Sequence, residues 1–129
     1  MEASVLVLIA ENEAAIQDIL QASFEDGGFA VILASTGEEA IAAMDGHGGT
    51  VRALITDIKL DSKVTGWDVA RHGRKLNPDL PVVYVTASER HDWASRGVPN
   101  SVLIEKPFAP AQVLTAVSQL LNVGNTPGA

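Results

Sequence analysis

Cysteine is absent from the 129-residue chain, which excludes disulfides and thiol catalysis while leaving the compartment open. Positive charge is scarce: Lys and Arg number 9 against 16 Asp and Glu, a net charge of −7 at pH 7. Phosphate-rich surfaces repel such a chain, so general affinity for nucleic acid or anionic membrane is not expected. The surplus acid suits a cation site or simple solubility. No apolar stretch has the length of a transmembrane helix. Met1-Glu2-Ala3-Ser4 lacks the basic region of a signal peptide and runs straight into a strand-type run. Internal repeats, low-complexity blocks and an inter-domain linker are missing too. These absences predict one cytoplasmic domain over residues 1–129, with a core at about 4–122, a small polar tail over 123–129 and no attached output domain.

What is present is an alternation of strand and helix patterns. Val5–Ala10 is continuously apolar, as suits a parallel strand buried on both faces. Ile16, Ile19, Leu20 and Phe24 then recur at helical spacing up to Gly27-Gly28, and Phe29–Leu33 is a second strand. Ser35/Glu38 and Thr36/Glu39 form overlapping capping-box patterns for a helix carrying Ala40, Ile41 and Met44 and ending near Gly46. The third strand runs to Asp57. A third helix from about Gly66 turns Val69, Ala70, Gly73 and Leu76 inward and stops at Asn77-Pro78. Val82–Thr86 is a fourth strand, Ala87–Ser95 has room for only a short helix, and Val102–Ile104 is a fifth strand. Pro110 opens a last helix with Val113, Leu114, Val117, Leu120 and Leu121 as its stripe. This alternation predicts an α/β fold: a parallel sheet with right-handed crossovers and helices on both faces.

In such a sheet the carboxyl ends of the strands converge, and ligands bind just beyond them. Those ends carry Glu11 and Asn12, Asp57, Thr86 and Lys106. Acids, an amide, a hydroxyl and an ammonium suit Mg²⁺ with phosphate oxygens. A carboxylate can also act as a nucleophile toward phosphorus, with lysine and hydroxyl binding the remaining phosphoryl oxygens.

Carried on these residues, the chain resembles the receiver domains of bacterial response regulators, the phosphoacceptor half of two-component signalling. The marks are the acid-containing pair after the first strand, Thr56-Asp57 after the third, Thr86-Ala87 after the fourth and Lys106-Pro107-Phe108 after the fifth, supported by Gly28-Phe29, Gly37–Ala40 and Gly66-Trp67. The resemblance implies a flavodoxin-like (βα)5 sandwich with a five-stranded sheet of order 2-1-3-4-5. It implies that Asp57 accepts a phosphoryl group from a sensor histidine kinase or phosphotransfer protein, with Thr86 and Lys106 binding that group. Mg²⁺ would be held by Glu11, Asn12, Asp57 and the main-chain carbonyl of Lys59, and Lys106-Pro107 would be cis. The output would be control of an unknown downstream protein or a relay.

The chain departs from the family's pattern in several places. Asn12 stands where an Asp is usual; residue chemistry leaves it open between a neutral metal neighbour and a helix N-cap. The exchange removes one negative charge and predicts Mg²⁺ binding about ten- to a hundredfold weaker. Leu103 stands where an aromatic switch residue is usual, and the loop from Asp57 to Gly66 is about one residue longer. Asn12 and Leu103 support an alternative reading, an adaptor that binds partners without phosphate; Asp57, Thr86 and Lys106 oppose it. A phosphohydrolase would need an acid two residues after the nucleophile, where Lys59 stands, so an enzyme is not expected. Glu13 reads as a first-turn acid. His47, His72 and His91 read as surface residues, Trp67 and Trp93 as packing residues, and Tyr84 as structural.

Overall fold

The computed structural model describes residues 4–123, so the polar tail beyond them lies outside the described residues. Strands β1 (Leu6–Ala10), β2 (Ala30–Ala34), β3 (Val51–Asp57), β4 (Val82–Thr86) and β5 (Val102–Glu105) alternate with helices α1 (Ala14–Asp26), α2 (Gly37–Gly46), α3 (Gly66–Leu76), α4 (Trp93–Arg96) and α5 (Pro110–Val123). The sheet has the order β2-β1-β3-β4-β5, and every pairing is parallel. This is the parallel α/β fold that the alternation predicted, in the flavodoxin-like form and strand order that the family resemblance implied.

The continuous apolar runs are explained by two cores. Along β1, Leu8 and Ala10 face a cluster built with Met44 of α2 and Val69 and Ala70 of α3. Val7 and Ile9 face the opposite cluster with Leu20 and Phe24 of α1 and Val113 and Val117 of α5. Alternate residues enter different cores, so β1, β3 and β4 have almost no solvent-facing position. Removing a side chain of this kind costs about 2–5 kcal/mol, which holds the strand ends in register.

Several local readings shift. Phe29 precedes β2 and packs edge-on against Phe24 at 5.4 Å. Leu76 is 47% exposed rather than inward, because it ends α3, where Asn77 turns extended ahead of Pro78. At α2 the hydroxyl of Thr36 accepts the Glu39 N–H, but the Glu39 carboxylate reaches the Ser35 N–H, so neither capping pattern closes. The closed box is at α3, where Thr65 and Asp68 bond each other's backbone N–H. Its acid is Asp rather than Glu, which is why the Glu-based pattern missed it. Gly66 follows directly: a Cβ there would lie 2.0 Å from the Asp57 carbonyl oxygen, so only glycine lets α3 start this close to the end of β3.

Candidate functional site

Four strand ends and one helix entrance meet above the middle of the sheet. The backbone N–H of Glu11 bonds Ala34 O at 2.9 Å, which carries the β1–β2 ladder one residue past β1 and fixes Glu11 beneath the site. The residue has 0% relative exposure. Its Oε2 accepts the Glu13 N–H at 2.9 Å, whereas Oε1 has no hydrogen-bond partner, although Lys106 Nζ stands 3.1 Å away. Asp57 closes β3 and is buried. Its Oδ1 accepts the Lys59 N–H at 3.3 Å and its Oδ2 accepts from Lys106 Nζ at 2.7 Å.

Lys106 is aimed by its backbone. Its N–H bonds Thr86 O at 2.7 Å, extending the β4–β5 pairing, and the Lys106-Pro107 bond is cis, as the family resemblance implied. The ammonium thus sits within 3.2 Å of carboxylate oxygens of Glu11, Glu13 and Asp57. Thr86 Oγ1 accepts the N–H groups of Ser88 and Glu89 at 3.2 and 2.9 Å. Both acceptances tie the hydroxyl to the β4–α4 loop and leave its single O–H to donate.

Electrostatics follow from this crowding. Burial pushes the Glu11 carboxyl above its ordinary 4.5, and the neighbouring Asp57 charge adds to it; the Glu13 N–H and Lys106 only partly oppose them. Burial alone would depress the Lys106 ammonium, but the hydrogen bond and charge of Asp57, together with Glu11, outweigh it and push the group up. Lys106 therefore stays charged and acts as a fixed cation between acids.

Oxygen atoms of Glu11, Glu13 and Asp57 lie within 4.8 Å of one another, the spacing a single cation can span. These are hard oxygen donors, the type Mg²⁺ prefers. A buried carboxylate oxygen with no hydrogen bond is costly unless a further partner completes it. The donor set therefore fits a divalent cation. A cleft of about 220 Å³ opens beside it, lined by Asn12, Glu13, Asp57, Lys59, Asp61, Thr86 and Lys106 among others.

The structure thus brings together Glu11, Asp57, Lys106 and, along one cleft, Asn12, Lys59 and Thr86. Asn12 is not the N-cap of α1: that position is Glu13, which makes no side-chain cap. Asn12 Nδ2 instead donates to Asp61 Oδ2 at 2.6 Å. The side chain of Lys59 leans away from Asp57 and pairs with Glu89 at 3.2 Å. Sequence reasoning missed Glu13 and Asp61. Glu13 reads as an ordinary helix-start acid, and its reach to Lys106 depends on how β1 turns into α1. Asp61 sits in the loop between β3 and α3, where no periodicity marks side-chain direction.

Residues 7–118 match the model of the response regulator receiver domain. A solved response regulator receiver protein from Sinorhizobium medicae is similar at 40% identity and a TM-score of 0.89, covering 92% of this chain and 95% of that one. The receiver domain of NtrX from Brucella abortus is 26% identical with a TM-score of 0.78, covering 90% and 98%. The response regulator SaeR of Staphylococcus aureus is 28% identical over 117 residues, 89% of this chain and 50% of SaeR. The chain thus spans about half the length of the curated relatives it matches. Among the described residues no helix is long and apolar enough to cross a membrane.

Proposed function

The chain belongs to the response regulator receiver domain family, and from that premise we propose that it is a phosphoacceptor switch whose acceptor is Asp57. The observation that carries this reading is the 2.7 Å contact between Lys106 Nζ and Asp57 Oδ2, with the same ammonium 3.1 Å from the buried Glu11 Oε1. In the reaction a carboxylate oxygen of Asp57 forms a P–O bond as the P–N bond to a partner's phosphohistidine breaks, and the imidazole, protonated on its other ring nitrogen, takes the P–N electron pair and leaves neutral. The partner is a histidine kinase or a phosphotransfer protein. Lys106 holds one phosphoryl oxygen by charge, and the free O–H of Thr86 donates to another.

Glu11, Glu13 and Asp57, with Asn12 and the Lys59 carbonyl at the rim, would hold Mg²⁺. The metal would neutralise charge building on the transferred oxygens. Lys59, two residues past Asp57, cannot do the acid-base work a phosphohydrolase needs there, so the chemistry ends as a stored acyl phosphate rather than turnover. The output is a changed surface that controls a second protein or passes the phosphoryl group along a relay.

Incubation with acetyl phosphate and Mg²⁺, read by intact mass, tests this directly. One added phosphoryl group is expected, and none when EDTA removes the metal. An unchanged mass under saturating donor would leave a phosphate-independent adaptor.

A further inference from the structure

Exchange of a carboxylate for Asn12 should strip negative charge from the cation site, yet the structure places another carboxylate against it. Asn12 Nδ2 donates to Asp61 Oδ2 at 2.6 Å, and both residues line the cleft that holds Asp57 and Lys106. We propose that Asp61 supplies the charge Asn12 lacks, so that the divalent-cation site of this chain is completed from the β3–α3 loop. The inference rests on the reading of Asp57 as a phosphoacceptor that works with Mg²⁺.

The observation that points to a cation is Glu11: fully buried, grouped with Asp57 and Glu13, and with an Oε1 that makes no hydrogen bond of good geometry and meets only the Lys106 ammonium at 3.1 Å. Asp61 stands outside that tight group and acts across the cleft through its charge and its hold on Asn12. A carboxylate at position 12 would meet the Asp61 oxygens at hydrogen-bond distance, and the two would repel. The amide turns that contact into a charge-assisted hydrogen bond. It also commits Nδ2 to Asp61, leaving Oδ1 as the amide's acceptor for a cation or its water. Asn12 and Asp61 are therefore complementary: the strand end supplies the amide and the loop the acid. Asp61 lies in the β3–α3 loop at φ 51°, a conformation that Asp and Asn tolerate better than most residues.

That tolerance makes Asp61→Asn a clean test, because it removes charge while keeping the shape, the backbone and a possible amide contact. Mg²⁺ binding is measured by calorimetry and by amide chemical shifts, with a thermal melt for each variant. Asp61→Asn should bind Mg²⁺ about tenfold more weakly. Adding Asn12→Asp to it should restore the original affinity, since the charge returns with the hydrogen bond reversed. Asp79→Asn, an equal charge change at the opposite end of the sheet, should have no effect. Unchanged affinity in Asp61→Asn, or equal weakening by Asp79→Asn, overturns the inference and leaves the Asp57 reading standing. Affinity that Asp57→Asn leaves untouched would overturn both.

Discussion

Glu11 lies fully buried just past β1, and its Oε1 makes no hydrogen bond of good geometry and meets only the Lys106 ammonium at 3.1 Å. Burial raises its carboxyl above 4.5, so protonation is more favourable in the folded state than in the unfolded chain. The ionised group therefore destabilises the metal-free fold at pH above its raised value, and that penalty disappears as pH falls below 4.5. Glu11→Gln should raise the melting temperature at pH 7 by a few degrees, for a gain of about 1 kcal/mol, while weakening Mg²⁺ binding. Melts across pH 4 to 8 without metal check this: the gain should fade toward acid, and a gain constant with pH would contradict it. Lys106 has the opposite sign. Its raised value means its stabilisation is fully present below 10.5 and does not vary near neutrality. Asp57, Thr86 and Lys106 were legible as site residues because each ends a strand, and strand ends converge by topology. Glu13 and Asp61 were not, because both lie where the chain has left the sheet and direction is set by loop path.

At the scale of elements, β3 and α3 are coupled by Gly66. Its missing Cβ lets the helix start against the backbone of Asp57, whose carbonyl oxygen lies 2.0 Å from where that carbon would be. The Gly66 N–H bonds Ile58 O at 2.8 Å, closing the loop that carries Lys59 and Asp61. Gly66→Ala must push the helix or the acceptor strand aside, and about 3 kcal/mol of stability should be lost. Denaturant unfolding with an unchanged m-value would read it; a loss under 1 kcal/mol would show that the loop yields freely. The strands were legible because residues buried on both faces leave unbroken apolar runs. The boundary of β2, the exposure of Leu76 and the position of the closed capping box were not. Each depends on one local hydrogen bond or on where a helix overruns the sheet, not on period. The stretch after β4 was read as short, and only α4 with the 3-10 turn Arg90–Asp92 before it forms there.

Across the whole molecule, β4 lies between β3, which ends at Asp57, and β5, so on the proposed phosphoacceptor reading a change at Asp57 would reach β5 through β4. Leu103 of β5 pairs in register with Tyr84 of β4, and both are buried in the core shared with α3. The aromatic bulk missing at Leu103 is thus present one strand away. Tyr84 packs on Trp67 at 4.8 Å, and its hydroxyl accepts the buried N–H of Val98 at 3.1 Å. Tyr84→Phe orphans that N–H and should cost about 1–2 kcal/mol. In the same variant, amide shifts on phosphorylation should shrink around Val98 while those around Asp57 persist; an unaltered pattern at Val98 would remove Tyr84 from the route. The sequence marked Tyr84 as structural, and its tie to the α4–β5 loop was hidden because the partner is a backbone group.

The central claim is that Asp57 alone carries the phosphoryl group. Protein treated with acetyl phosphate and Mg²⁺ can be reduced with borohydride, which converts an aspartyl phosphate to homoserine and leaves free carboxylates unchanged. Peptide mass mapping then locates the converted residue. Conversion is expected at Asp57 and at no other acid, including Glu11, Glu13 and Asp61, and none in Asp57→Asn. Conversion at any other position, or equal conversion in Asp57→Asn, would contradict it.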